Sequence, residues 1–140
     1  LEEGTPMNKN KILLCSKDLS LALKIKIFLE VKGFHVLDLI SSGDDLITTT
    51  LNHYPSLIIS DINLQGEIDG IEAISRLSGI TKIPYIFIAN SEENISLVQS
   101  YYLNPVKIFF KPVDLNELYF FVNDYVGIMN EIQHSDYYLG

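Results

Sequence analysis

Two side chains of opposite charge end two short apolar runs. Asp61 follows Ser56 to Ser60, and Lys111 follows Val106 to Phe110. A carboxylate so placed can be a nucleophile, a metal ligand or half of an ion pair, and a lysine beside it can neutralise an anion. Alone, each is as well explained as a turn residue. Two further runs end on residues worth inspecting: Ser16, Lys17 and Asp18 after the first, and Ala89, Asn90 and Ser91 after the fourth. Other chemistries find no support. His35, His53 and His134 are scattered without ligand spacing, and Cys15 is the one cysteine, which excludes an internal disulfide and a cysteine-rich metal site. No Ser-His-Asp set, P-loop or dinucleotide glycine fingerprint is present.

These residues need elements to position them, and the sequence supplies an alternation. The apolar runs, rich in β-branched and aromatic residues, read as buried strands: Lys11 to Cys15, Phe34 to Asp38, Ser56 to Ser60, Pro84 to Ala89 and Val106 to Phe110. Helical spacing fills the intervals. The first helix runs from about Asp18 to Lys32 with Leu21, Ile25, Phe28 and Leu29 on one face, and Gly33 ends it. The second starts at Ser42 to Asp44 and ends at about His53 before Pro55, and the third, capped by Asp69, runs from Gly70 to Leu77. The fourth, capped by Ser91, runs from Glu92 to Tyr102, and the last, capped by Asp114, runs to Glu131. Five strands alternating with five helices predict an α/β fold. It is a doubly wound, flavodoxin-like parallel sheet in the order 2-1-3-4-5. That order sets strands one, three and five close together, with the ligand site beyond their C-terminal ends.

Composition agrees with one globular unit. The chain has 140 residues, 47% of them hydrophobic and 20% charged. A net charge of −8 disfavours nucleic acid and an anionic membrane surface, both of which ask for a basic face. The lone cysteine fits a cytoplasmic location.

The run Asp61-Ile-Asn-Leu-Gln-Gly-Glu-Ile-Asp-Gly-Ile-Glu-Ala73, with Lys111-Pro112 after the fifth strand, resembles the receiver domains of two-component response regulators. The spacings agree, with 44 residues from Lys17 to Asp61 and 50 from Asp61 to Lys111. The resemblance covers about Lys11 to Val126. The acidic, polar residues before Met7 give residues 1–8 as a disordered or expression-derived N-terminus, with residues 9–130 as the receiver domain and residues 131–140 as a C-terminal tail. The resemblance implies phosphoryl transfer to Asp61 from a histidine kinase, a phosphotransfer protein or a small phosphodonor. The protein would be no enzyme beyond that self-phosphorylation. Lys111 would contact the phosphoryl group, and Mg²⁺ would be held by an acid pair after strand one.

The sequence departs from that pattern. Ser16 and Lys17 stand where the family has acids, Ala89 stands at the hydroxyl position, and Ile108 replaces the aromatic switch residue. Asp18, Asp61 and Asn63 are the remaining metal candidates, Ser91 is a substitute hydroxyl, and Lys17 is a candidate tethered cation facing Asp61. Relative to the usual three acids and one lysine, the net charge of the quartet rises by three units. Each is worth roughly 1 kcal/mol at 4 Å in water and about 4 kcal/mol at an effective dielectric of 20, so Mg²⁺ is expected to bind poorly or not at all. Two mechanisms stay open. Asp61 is phosphorylated at this atypical site, or the domain is a phosphorylation-independent pseudo-receiver acting through protein contacts.

The last helix points to such contacts. Leu115, Leu118, Val122, Tyr125 and Met129 suit a core face, leaving Tyr119, Phe120, Phe121, Val126 and Ile128 over, and six of the eight tyrosines fall in the last 40 residues. A homodimer or an output domain is expected on the face made by helix four, strand five and helix five.

Overall fold

The computed structural model describes the backbone of residues 11–139 and the side chains of residues 11–132. The expectation for residues 1–8 lies outside the described residues, as do the side chains of His134, Tyr137 and Tyr138. Ten elements alternate without exception: β1 Lys11–Cys15, α1 Leu19–Val31, β2 His35–Ile40, α2 Gly43–His53, β3 Leu57–Asp61, α3 Gly70–Ser78, β4 Tyr85–Ala89, α4 Glu93–Ser100, β5 Lys107–Phe110 and α5 Leu115–Leu139. The five strands pair in parallel in the order β2-β1-β3-β4-β5.

Period-two alternation divides the core into two layers. Ile12 and Leu14 of β1, Leu57 and Ile59 of β3, and Ile86 and Ile88 of β4 pack with Ala22, Ile25 and Leu29 of α1 and with Leu118, Val122 and Val126 of α5. The alternate residues Leu13, Cys15, Ile58, Phe87 and Ala89 face Leu46 of α2, Ile71, Ile74 and Leu77 of α3, and Val98 of α4. A sheet covered on both sides needs strands that are apolar throughout, and β3 is buried along its whole length.

The helix starts follow their caps. Asp18, Ser42 and Asp69 each accept a backbone N–H three residues on, from Leu21, Asp45 and Glu72. Asp114 Oδ1 accepts from Asn116 and Glu117. Gly33, with φ at 103°, turns the chain out of α1 as expected.

Three expectations are corrected. Ser91 does not cap α4; the helix begins at Glu93, and Asn94 Oδ1 instead takes the loop N–H groups of Asn90 and Ser91. The last helix runs beyond Glu131 to Leu139. Its core ridge is Leu118, Val122 and Val126, at every fourth residue, while Tyr125 and Met129 are half-buried beside it. Tyr119 and Phe121 are also accounted for. Tyr119 meets Phe28 and Phe34 edge-on, and Phe121 meets Phe109 and stacks on Tyr125. No helix among the described residues is long and apolar enough to cross a membrane.

Candidate functional site

The register of β1 and β3 builds the centre of the site. Cys15 pairs with Ser60, so one step further the chain sets Ser16 beside Asp61. Both share the parity of Ile12, Leu14, Leu57 and Ile59, and so belong to the α1–α5 side of the sheet. The outcome is a short hydrogen bond, with the Ser16 hydroxyl donating to Asp61 Oδ2 at 2.7 Å. Ser16 Oγ also accepts the Asp18 N–H at 3.0 Å, which leaves its proton for the carboxylate. Two strands away, β5 delivers Lys111, whose N–H donates to Ala89 O at 3.0 Å. Its ammonium reaches the same Asp61 Oδ2 at 3.4 Å. The bond from Lys111 to Pro112 is cis.

Asp61 is only 2% exposed, and its Oδ1 is buried without a hydrogen-bond partner. Burial accordingly lifts its carboxyl above the ordinary value. The Ser16 hydrogen bond and the Lys111 charge pull the other way, and Asp18 adds a small upward push. Cys15, next to Ser16 but on the opposite side of the sheet, is not a competing nucleophile, since burial pushes its thiol up to about 12. Gly70 closes the underside. A Cβ there would strike the Asp61 carbonyl oxygen, and the Gly70 N–H donates to Ile62 O at 2.8 Å.

The other candidates are placed as follows. Lys17 is exposed and forms no ion pair with Asp61. Asp18 is exposed and spends Oδ1 on the α1 cap. Asn63 is exposed after β3. Ser91 is exposed, and its hydroxyl makes no hydrogen bond to Asp61. Ala89 is buried, and Ile108 is half-buried against the α2–α3–α4 layer. Among the described residues, no three His, Cys, Asp or Glu side chains converge as a metal-binding group. At the position for Mg²⁺, the donor chemistry is a neutral hydroxyl with its proton turned to Asp61, followed by a lysine. That set does not suit a hard cation seeking anionic oxygens. Beside the lysine, an open groove of about 580 Å³ runs between α1 and the segment after β5, lined by Asp18, Leu21, Lys24, Lys111, Val113 and Leu115.

Ser16 is the functional candidate that the sequence reading passed over, counting it only as a lost acid. The parity of β1 and β3 carried the signal, since neighbouring parallel strands bring equivalent terminal residues side by side.

Comparison with known proteins identifies the family and the fold. Residues 12–123 match the response regulator receiver domain family. A curated relative, the sensory transduction protein LytR of Staphylococcus haemolyticus (strain JCSC1435), is 26% identical over 108 residues, 75% of this chain. The chain spans 41% of that relative's length. Among solved structures, the signal receiver domain of a modulated diguanylate cyclase from Desulfovibrio desulfuricans G20 is 26% identical with a TM-score of 0.73, covering 84% of this chain and 93% of its own. A two-component response regulator from Clostridium difficile is 26% identical with a TM-score of 0.76, covering 86% and 98%.

Proposed function

The chain belongs to the response regulator receiver domain family, and from that premise we propose that it receives a phosphoryl group on Asp61 from a histidine kinase, a phosphotransfer protein or a small phosphodonor. The observation that carries this is the Asp61–Lys111 pair, 3.4 Å apart at the C-terminal edge of the sheet. The transferring group is heavily anionic, so the site must supply positive charge and fixed geometry more than covalent chemistry. Lys111 supplies charge at the carboxylate. The groove between α1 and the segment after β5 offers the donor a route to that lysine. Lys17, on the exposed rim, adds charge once the phosphoryl group has arrived. The protein acts as a switch component rather than an enzyme with a separate substrate, and a cytoplasmic setting suits its kinase-type partners.

The site works with weak Mg²⁺ binding or none, because Ser16 and Lys17 replace anionic donors. Ala89 offers the phosphoryl group no hydroxyl, so Ser91 serves only if its loop shifts. The coupling of Ala89 to Ile108 is correspondingly apolar.

A second reading is favoured by the closure of Asp61, whose one paired oxygen already holds two protein donors. In that pseudo-receiver the cluster fixes one conformation, and signalling runs through protein contacts. The α4–β5–α5 face supports such contacts, since Leu97, Tyr101, Phe110 and Phe120 are exposed there.

Intact-mass analysis after incubation with acetyl phosphate separates the two. A phosphoryl adduct absent from Asp61→Asn is expected. No adduct under any condition would overturn the phosphoacceptor reading in favour of the pseudo-receiver.

A further inference from the structure

Resting on the reading of Asp61 as phosphoacceptor, we infer that Ser16 is the positioning residue of this site, its hydroxyl holding the Asp61 carboxylate for phosphoryl transfer without a divalent cation. Ser16 is 4% exposed, and its Oγ accepts the Asp18 N–H at 3.0 Å. Of the two acceptors in reach of the hydroxyl, Asp18 O at 3.4 Å and Asp61 Oδ2 at 2.7 Å, the carboxylate is the nearer, at a distance typical of a charge-assisted bond. Asp18 is itself fixed by capping α1 through the Leu21 N–H at 3.1 Å. The carboxylate is thus tied, through one hydroxyl, to the start of a helix.

Two donors on Oδ2 divide the labour between the carboxylate oxygens. Oδ2 accepts from Ser16 and Lys111, while Oδ1 has no hydrogen bond and keeps its lone pairs. In the transfer, an Oδ1 lone pair forms the new O–P bond as the donor's P–N or P–O bond breaks. The electron pair of that bond leaves with the donor, as neutral imidazole already protonated on its other nitrogen, or as carboxylate from an acyl phosphate. Oδ2 becomes the carbonyl oxygen of the mixed anhydride and still accepts both hydrogen bonds. Because Oδ1 is buried, the donor reaches it only as the strand-end loops part.

The same geometry explains why a cation is not called for. A metal would orient the carboxylate and offset its charge; here Ser16 orients it and Lys111 offsets it. Lys17, the other basic side chain after β1, is exposed and unpaired with Asp61, so it does not perform this task in the resting state.

The test is the rate of adduct formation from acetyl phosphate, followed by intact mass. Wild type, Ser16→Ala, Ser16→Thr and Asp61→Asn are compared in EDTA and in excess Mg²⁺, with circular dichroism as a check on folding. Wild type is expected to react at the same rate in both buffers. Ser16→Ala should react about ten-fold more slowly, the scale of one charge-assisted hydrogen bond. Ser16→Thr, which keeps the hydroxyl, should recover most of the rate. A wild-type rate that depends on Mg²⁺ would overturn the inference without any variant, and so would Ser16→Ala reacting like wild type. In either case the adduct on Asp61 would leave the phosphoacceptor reading standing. No adduct on wild type would sink that reading, and this inference with it.

Discussion

Asp61 holds its carboxylate where water scarcely reaches, and the cost of that shows in its acidity. Burial raises its carboxyl above the ordinary value, and the donors Ser16 and Lys111 offset this only in part. The unfolded chain therefore releases this proton at a lower pH than the folded one. Across the window between, the folded state binds more protons, so stability falls as pH rises from about 4 through the raised folded value. Asp61→Asn cannot ionise and should escape that loss. Thermal melts are expected to show the variant more stable by roughly 1–3 kcal/mol above the window, with the gap closing near pH 4. A gap that does not change with pH would count against burial as the cause. At this scale the sequence was partly legible. Asp61 and Lys111 stand out because charged residues that end apolar strands are few. Ser16 did not stand out, because its meaning comes from a neighbouring strand's register and from nothing in its own surroundings in the chain.

Among the elements, glycines test how tightly the site is framed. Gly70 starts α3 directly under Asp61, and a methyl group there would push on the Asp61 carbonyl. Gly70→Ala should cost about 1–3 kcal/mol in urea unfolding, since neither β3 nor α3 has room to yield. Gly127 is the opposite case. It lies in the middle of α5, exposed, and an added Cβ meets nothing within 4 Å. Gly127→Ala should raise stability by about 0.5–1 kcal/mol in the same measurement, because alanine gives up less backbone freedom on entering a helix. The strands and most helix starts were legible from apolar runs and capping residues. The fourth helix was misread because Ser91 has the right chemistry for a cap, yet α4 starts at Glu93 with no side-chain cap, and Asn94 Oδ1 reaches back only to the loop N–H groups of Asn90 and Ser91. The core ridge of α5 was misread because Val126 and Tyr125 are adjacent and both apolar enough. Only the crossing of α5 over the sheet decides between them.

Taken whole, the molecule is a sheet with helices on both sides, and two of its helices are greasier outside than a solitary domain requires: α1, where Leu19, Leu23, Ile27 and Val31 are exposed, and α5. Phe120 is 60% exposed, and Ile128 and Ile132 follow it on α5 at 55% and 49%. An acidic chain with such a flank is expected to self-associate or to dock an output partner there. Static light scattering across concentration should show mass rising toward a dimer, and a double variant Phe120→Lys with Ile128→Lys should remain monomeric. A wild-type mass that stays monomeric at every concentration would remove the homodimer and leave the output partner. The overall topology was legible from the alternation of strand and helix alone, because parallel strands with right-handed crossovers allow few arrangements. Which flank stays uncovered was less so, since the aromatic surplus of α5 divides between the Tyr119 and Phe121 contacts inside and Phe120 outside.

The length of α5 has a mechanical side. Leu118, Val122 and Val126 root the helix in the core, yet its backbone continues to Leu139. Met129 and Asn130 are still half-buried beside that ridge, so the arm is the part past Asn130, at 1.5 Å per residue a rod of about 13 Å. Hinged at its root, such a rod is a lever: a tilt of about 10° there swings the tip by roughly 2 Å. Among the rings near that root, Phe109 of β5 meets Phe121, which stacks on Tyr125, and Lys111 follows the C-terminal end of β5. A displacement too small to notice beside Asp61 would thus arrive at Leu139 magnified.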